Sequence, residues 1–347
     1  MNATLFYLFL LIGLYSCSTS TQNEEYHLSE LQYASDVHLN VLNEAIESDP
    51  ENDILFFKRA QYFFDQHAFK NALNDIQKAL RIENDKHTYW LLSAKVYLEL
   101  ADVDKAMNDG LKAEQLGSTD PTLYIVLATA FIEKKDMISA ETYLNKVKSI
   151  APHLSDIPYL EGLKALQQGD TVTAKQLINK SIQLNKEYID PYIVLMKLYY
   201  QSRNYDSIMP LLIKAKRVRP HEAELFLYEG KFYESLQRFG LAKIAYQEGL
   251  ICNPAQASIF LPLSELYIRE SNYTEAMRYL NLWLESHPED KATLQKLGQY
   301  SSRNQDISGA ITYYKTLYQL DTTQLGIKKE IEKLQKELEL ARDTTRK

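Results

Sequence analysis

The chain has 347 residues, 45% hydrophobic and 24% charged, which are ordinary values for a folded protein and exclude a disordered tail. Its 39 Lys and Arg against 46 Asp and Glu leave a net charge of −7, the wrong sign for a nucleic-acid binder that must neutralise phosphates. Two cysteines exclude a disulfide-stapled scaffold and a cysteine-rich zinc site, and eleven Gly and ten Pro beside 25 Tyr favour aromatic-packed helices over an all-β protein.

Residues 1–16 carry no charge, and Leu5 to Tyr15 are almost wholly apolar. The run is shorter than the roughly 20 residues a helix needs to cross a bilayer, so it reads as a signal-peptide core. It ends in Leu14-Tyr15-Ser16-Cys17, which resembles a lipobox, although no Lys or Arg precedes it and Tyr15 is bulky where a small residue is usual. The resemblance implies cleavage before Cys17 and a lipid on that cysteine. Residues 17–30 then form a polar tether, and Ser18 after the cysteine leans towards the outer membrane of a bacterial envelope. A buried N-terminal helix is the other reading of the segment. Cys252 falls in an apolar slot of the repeat described next and reads as a buried thiol.

From Asp53 onward the chain is periodic in steps of 34 residues. The twentieth position of successive blocks reads Ala72, Ala106, Ala140, Ala174, Ile208, Ala242, Ala276 and Ala310. The eighth reads Ala60, Ala94, Ala128, Gly162, Met196, Gly230, Ser264 and Gly298. Aromatic residues recur at positions 4 and 11, as in Phe56, Trp90, Tyr124 and Phe63, Tyr97, Phe131. Apolar residues near positions 4, 8 and 11 and near 20, 24 and 27 give two amphipathic helices per block. Asp102, Asp136, Asp170, Asn204, Asn272 and Asp306 at position 16 supply the capping chemistry between them, and Pro152, Pro220, Pro254 and Pro288 end the second helix.

This pattern resembles the tetratricopeptide repeat. The resemblance implies an all-α fold, a right-handed α-solenoid superhelix of eight tandem helix–turn–helix units over residues 53–324. Residues 31–52 supply an N-terminal half-repeat helix and residues 325–347 a capping helix. Some positions depart from the family pattern. Position 7 is polar at Arg59, Ser93, Glu161 and Glu229, which predicts partial exposure or pairing. Block five, with Met196, Ile208 and Pro210, should be wider or bent, and the first helix of block four, with Pro158 and Ala165 in its aromatic slots, should start late and pack thinly.

The resemblance further implies a partner-binding inner wall built from first helices. Position 5 there reads Phe57, Leu91, Ile125, Tyr159, Ile193, Leu227 and Leu261, and position 9 adds Lys95, Lys197 and Lys231. These are the candidate groove residues, although an apolar stripe can equally pack neighbouring helices together. The full lysine–asparagine carboxylate clamp of some chaperone-binding members is absent. The chain has no phosphate-binding glycine loop, no Gly-x-Ser-x-Gly elbow and no His-Glu-x-x-His, and most of its seven histidines sit at or near the joins between blocks. The expectation is a non-enzymatic adaptor for partner proteins, with no cofactor, metal or nucleic acid, held in the envelope by its lipid. A glycan- or small-molecule-binding envelope protein and an unlipidated intracellular adaptor are the alternatives.

Overall fold

The structure, a computed structural model, describes residues 37–344. The leader, Cys17, the whole tether and residues 31–36 of the half-repeat lie outside them. Among the described residues there are eighteen α-helices, one 3₁₀ turn and no strand. The chain divides into two compact units, residues 1–174 and 175–347.

In the first unit, helix α1 covers residues 37–48, followed by the hairpins α2 (Asp53–Asp65)/α3 (Phe69–Ile82), α4 (His87–Glu99)/α5 (Val103–Gln115) and α6 (Pro121–Glu133)/α7 (Met137–Ile150). Helix α8 (Asp156–Gln167) and the start of α9 (Thr171–Leu184) complete it, the unit boundary falling within α9. The second unit continues with α10 (Asp190–Gln201)/α11 (Ile208–Val218), α12 (Ala223–Ser235)/α13 (Phe239–Cys252), α14 (Ala257–Arg269)/α15 (Tyr273–Ser286), α16 (Lys291–Arg303)/α17 (Ile307–Leu320) and α18 (Leu325–Thr344). Within each unit the second helix of a hairpin also packs on the first helix of the next.

The small residues at positions 8 and 20 are the contact points of each hairpin: Ala60, Ala72, Ala94, Ala106 and Ala128 have no exposed surface. At two of the blocks where position 8 is Gly, Gly230 and Gly298, the space is taken by a tyrosine at position 24. A Cβ on Gly230 would fall 2.2 Å from Cε1 of Tyr246, and one on Gly298 would fall 2.5 Å from Cε1 of Tyr314.

Each turn between helices has one construction. The residue at position 15 is left-handed in all eight blocks (His67, Ala101, Lys135, Gly169, Arg203, Gln237, Ser271 and Gln305), with φ between 55° and 83°. The next amide donates back to the carbonyl of position 11, for example Asp102 N to Tyr97 O at 2.9 Å and Asp136 N to Phe131 O at 2.9 Å. That is the Schellman closure, and it satisfies carbonyls that the helix end leaves bare. At position 16, Asp102, Asp136, Asp170, Asn272 and Asp306 each accept the backbone N–H three residues on, at 2.9 to 3.3 Å, and so cap the second helix. Asn204 makes no such cap. There the second helix opens with a 3₁₀ turn, Tyr205–Ser207, before α11 begins at Ile208, and α10 and α11 approach each other less closely than the other hairpins of the unit. Met196 and Ile208, both fully buried, fill the two positions that most blocks give to small residues. Helix α8 begins one residue into its block, with Pro158 in its first turn, where the missing N–H costs nothing.

All four polar residues at position 7 are paired. Arg59 donates from Nε and Nη2 to the carboxylate of Asp75 at 2.6 and 2.8 Å, and from Nη1 to Asn43 of α1 at 2.7 Å. Ser93 donates to Asp109 at 2.6 Å. Glu161 and Glu229 instead reach the preceding block, pairing with Lys148 at 2.9 Å and Lys216 at 2.5 Å. A polar residue at this position therefore ties its hairpin together, ties it to the element before it, or, at Arg59, does both.

The ends differ from the middle. His38, in the slot where complete blocks hold Ala, is exposed and lies beside Tyr62. Helix α18 turns Ile331 and Leu334 onto α17, and its other face is charged. Cys252 is half-buried rather than buried, because it ends α13 at the join between blocks.

Candidate partner-binding face

In the first unit the first helices α2, α4, α6 and α8 are successive neighbours, and in the second α10 lies beside α12. Position 5 sits at the seam between neighbours. Leu91 and Leu227 are 8% and 3% exposed and belong to hydrophobic clusters, so at these two positions the side chain packs helix to helix. Phe57, Ile125, Tyr159, Ile193 and Leu261 are half-buried, which leaves part of each to solvent. The stripe is thus interrupted core and partly open surface, decided by how far the neighbouring first helix covers each residue. Phe57 stacks on the buried Tyr89 with ring centroids 4.6 Å apart, which fixes one face of its half-buried ring.

The three position-9 lysines have different surroundings. Lys95 places its ammonium 4.4 Å above the ring of Phe64. Lys197 is exposed. Lys231 is half-buried between two rings, its ammonium 5.1 Å from the centroids of both Tyr200 and Tyr228. Burial pulls the Lys231 ammonium below the usual lysine range, opposed by the charges of Glu224 and Glu234. Burial pushes the Glu224 carboxyl up, with the charge of Glu222 adding to it and that of Lys197 opposing. Glu234 is raised by burial too, against the hydrogen bond it accepts from the Tyr246 hydroxyl at 3.0 Å. Lys231 is marked in the sequence by its place in the repeat, whereas Glu224, Tyr228 and Glu234 are not. The available signal was charge of alternating sign along one helix face.

The two units therefore present different faces. The first is apolar and aromatic around Phe57, Phe64 and Ile125; the second combines apolar residues with half-buried charges. Among the described residues no group of three His, Cys, Asp or Glu could hold a metal ion, and no helix is long and apolar enough to cross a membrane.

Residues 121–154, which make up the α6/α7 hairpin, match the family model described as tetratricopeptide repeat. The chain carries a tetratricopeptide repeat. It is 25% identical over 161 residues to the TPR repeat-containing protein YpiA of Bacillus subtilis (strain 168); the match covers 44% of this chain and 38% of that protein's length. Among solved structures, the chain resembles the APC/C hetero-tetramer Cut9–Hcn1, with TM-score 0.58, 16% identity, and 89% and 60% of the two chains covered. It also resembles Pseudomonas aeruginosa pilF, with TM-score 0.52, 19% identity, and 62% and 97% covered. At these identities the likeness is one of tetratricopeptide fold. Arrays of this fold are in general non-enzymatic scaffolds on which other proteins assemble.

Proposed function

We propose that this protein is an adaptor whose first-helix faces hold segments of partner proteins. The observation that carries the reading is the set of half-exposed apolar groups on first helices, Phe57, Ile125 and Tyr159 in the first unit and Ile193 and Leu261 in the second, which the helices of each unit leave partly uncovered. A glycan reading has less support, since a sugar stacks on exposed aromatic planes and most of this stripe is aliphatic.

The test replaces half-buried members of the stripe, not its core. Ile125→Glu combined with Phe57→Glu removes capture of the native partner by crosslinking pull-down while helicity by circular dichroism stays near wild type. The matched control is Ile138→Glu on α7, a residue 84% exposed on a second helix. Equal capture by both variants ends the proposal.

We further propose that the adaptor is lipid-anchored in a bacterial envelope through Cys17, on the strength of the Leu14-Tyr15-Ser16-Cys17 sequence and the polar run behind it. Metabolic labelling with a fatty acid marks the wild type and not Cys17→Ala. Absence of label in both refutes anchoring and leaves the adaptor reading intact.

A further inference from the structure

Resting on the reading of the first-helix face as the partner-binding surface, we propose that α12 selects an extended partner segment bearing a basic, then an acidic, then a basic side chain. The acidic residue follows the first basic one by three positions, and the second basic one follows by one or two more.

Three ionisable side chains of α12 set this order: Glu224, Lys231 and Glu234, negative, positive and negative along the face. Each is half-buried, so each has lost part of its hydration. Among the described residues neither Glu224 nor Lys231 makes a hydrogen bond or an ion pair, and the hydrogen bond that Glu234 accepts comes from the neutral Tyr246 hydroxyl. The other face of the same helix behaves differently, since Glu229 is tied to Lys216 at 2.5 Å. Nearby charges do not fill the gap. Lys197 is exposed and outside ion-pair range of Glu224, Arg269 acts on Glu234 only from beyond ion-pair range and lies over the Phe239 ring, Asp190 and Glu222 add to the negative side, and Glu265 is committed to Lys296 at 3.0 Å. A charge that is partly dehydrated and unpaired is costly, and a partner group of opposite sign removes that cost at the moment of binding. The rings of Tyr200 and Tyr228 hold the Lys231 ammonium in place, so little ordering remains to be done.

Spacing follows from the helix. Seven residues from Glu224 to Lys231 advance roughly 10 Å, and three more to Glu234 advance roughly 4.5 Å. An extended chain of polyproline II form rises roughly 3.1 Å per residue and returns a side chain to the same face every third residue, so it matches the first interval in three residues with both side chains towards α12, and the second in one or two, a step the long basic side chain spans.

The experiment measures fluorescence anisotropy of labelled nonapeptides with the full-length chain. One peptide carries Lys, Glu and Lys at residues 2, 5 and 7 in an alanine–serine background, one has the three signs inverted, and one is acidic at all three. The first binds at least tenfold more tightly than either of the others. Lys231→Glu reverses the preference at residue 5, so that a peptide with Lys there now binds better, and Lys231→Gln abolishes discrimination at that residue alone. Both variants are checked for wild-type helicity. Equal binding of the inverted peptide, tightest binding of the all-acidic one, no binding of any, or an unchanged preference in Lys231→Glu overturns the proposal. If Ile125→Glu with Phe57→Glu still abolishes partner capture while no peptide is discriminated, the binding face stands and the charge order falls.

Discussion

Replacing Gly230 by alanine separates two physical effects that act in opposite directions. Helix propensity alone favours the substitution by about 1 kcal/mol. The packing opposes it, because the new Cβ would lie 2.2, 2.5 and 2.6 Å from Cε1, Cδ1 and Cζ of Tyr246. Ordinary carbon contacts are at about 3.5–4.0 Å, so the ring must retreat by more than ~1 Å. It has nowhere to go, since Tyr246 is fully buried and its hydroxyl is tied to Glu234. Overpacking of this kind costs about 1–3 kcal/mol, and the rigidity of the ring puts the site at the upper end, leaving a net loss of ~2 kcal/mol. The remedy is written in other blocks, where Ala60 stands with Ile76 and Ala128 with Leu144 at the same two positions. Gly230→Ala combined with Tyr246→Leu therefore loses less than the sum of the single changes, by ~1 kcal/mol or more. Urea unfolding followed by circular dichroism on the four proteins gives the cycle. A Gly230→Ala protein more stable than wild type by the propensity increment, or strict additivity in the cycle, refutes the packing account.

Arg59→Ala leaves the Asp75 carboxylate, 1% exposed, without its guanidinium, and lowers stability by about 3–5 kcal/mol; Arg59→Met with Asp75→Leu recovers most of that, as denaturant midpoints will show. Ala101→Gly relieves a left-handed backbone at φ 58° and raises stability by roughly 1 kcal/mol, whereas the same change at Ala94, buried inside α4, lowers it. Hydrogen bonds from Lys86 and Tyr89 hold the Asp53 carboxyl below its ordinary value. Its contribution is therefore present above the unfolded pKa of about 4 and lost as pH falls through the folded value. The stability gap between wild type and Asp53→Asn accordingly closes in acid, and a gap that widens there contradicts the assignment. Burial acts on Asp109 in the opposite sense and raises its pKa. Its ionised form is penalised at neutral pH, so Asp109→Asn, which keeps an acceptor for Ser93, has a higher melting temperature than wild type at pH 7 and a shrinking advantage as pH falls.

The hairpins were legible in the sequence because their chemistry is local. Ala at positions 8 and 20 marks where two helices touch, and Asp or Asn at position 16 marks a cap. The left-handed residue at position 15 was not legible, since seven of its eight occupants are not glycine and the conformation is imposed by the Schellman closure around it. Pairing at position 7 was expected, but the partners were not. Arg59 finds Asp75 inside its own hairpin, while Glu229 finds Lys216 in the preceding block, and only the stacking of helices distinguishes the two. The position-5 stripe was visible as a pattern of apolar residues, yet the pattern could not tell Leu91, which is core, from Ile125, which keeps part of its surface in solvent. That difference depends on how the neighbouring first helix covers each residue. The alternating charges of α12 were missed for a related reason: their meaning lies in partial burial without a counter-charge, a property of the packed helices and not of residue type.

Site-specific photocrosslinking in the native host tests the central claim most directly. A photoreactive residue is placed at Ile125 on a first helix and, separately, at Ile138 or Ile251 on second helices, where the native side chains are 84% and 80% exposed. The account predicts a discrete partner adduct from position 125 and none from the other two. Adducts from the second-helix positions with none from 125 would contradict it.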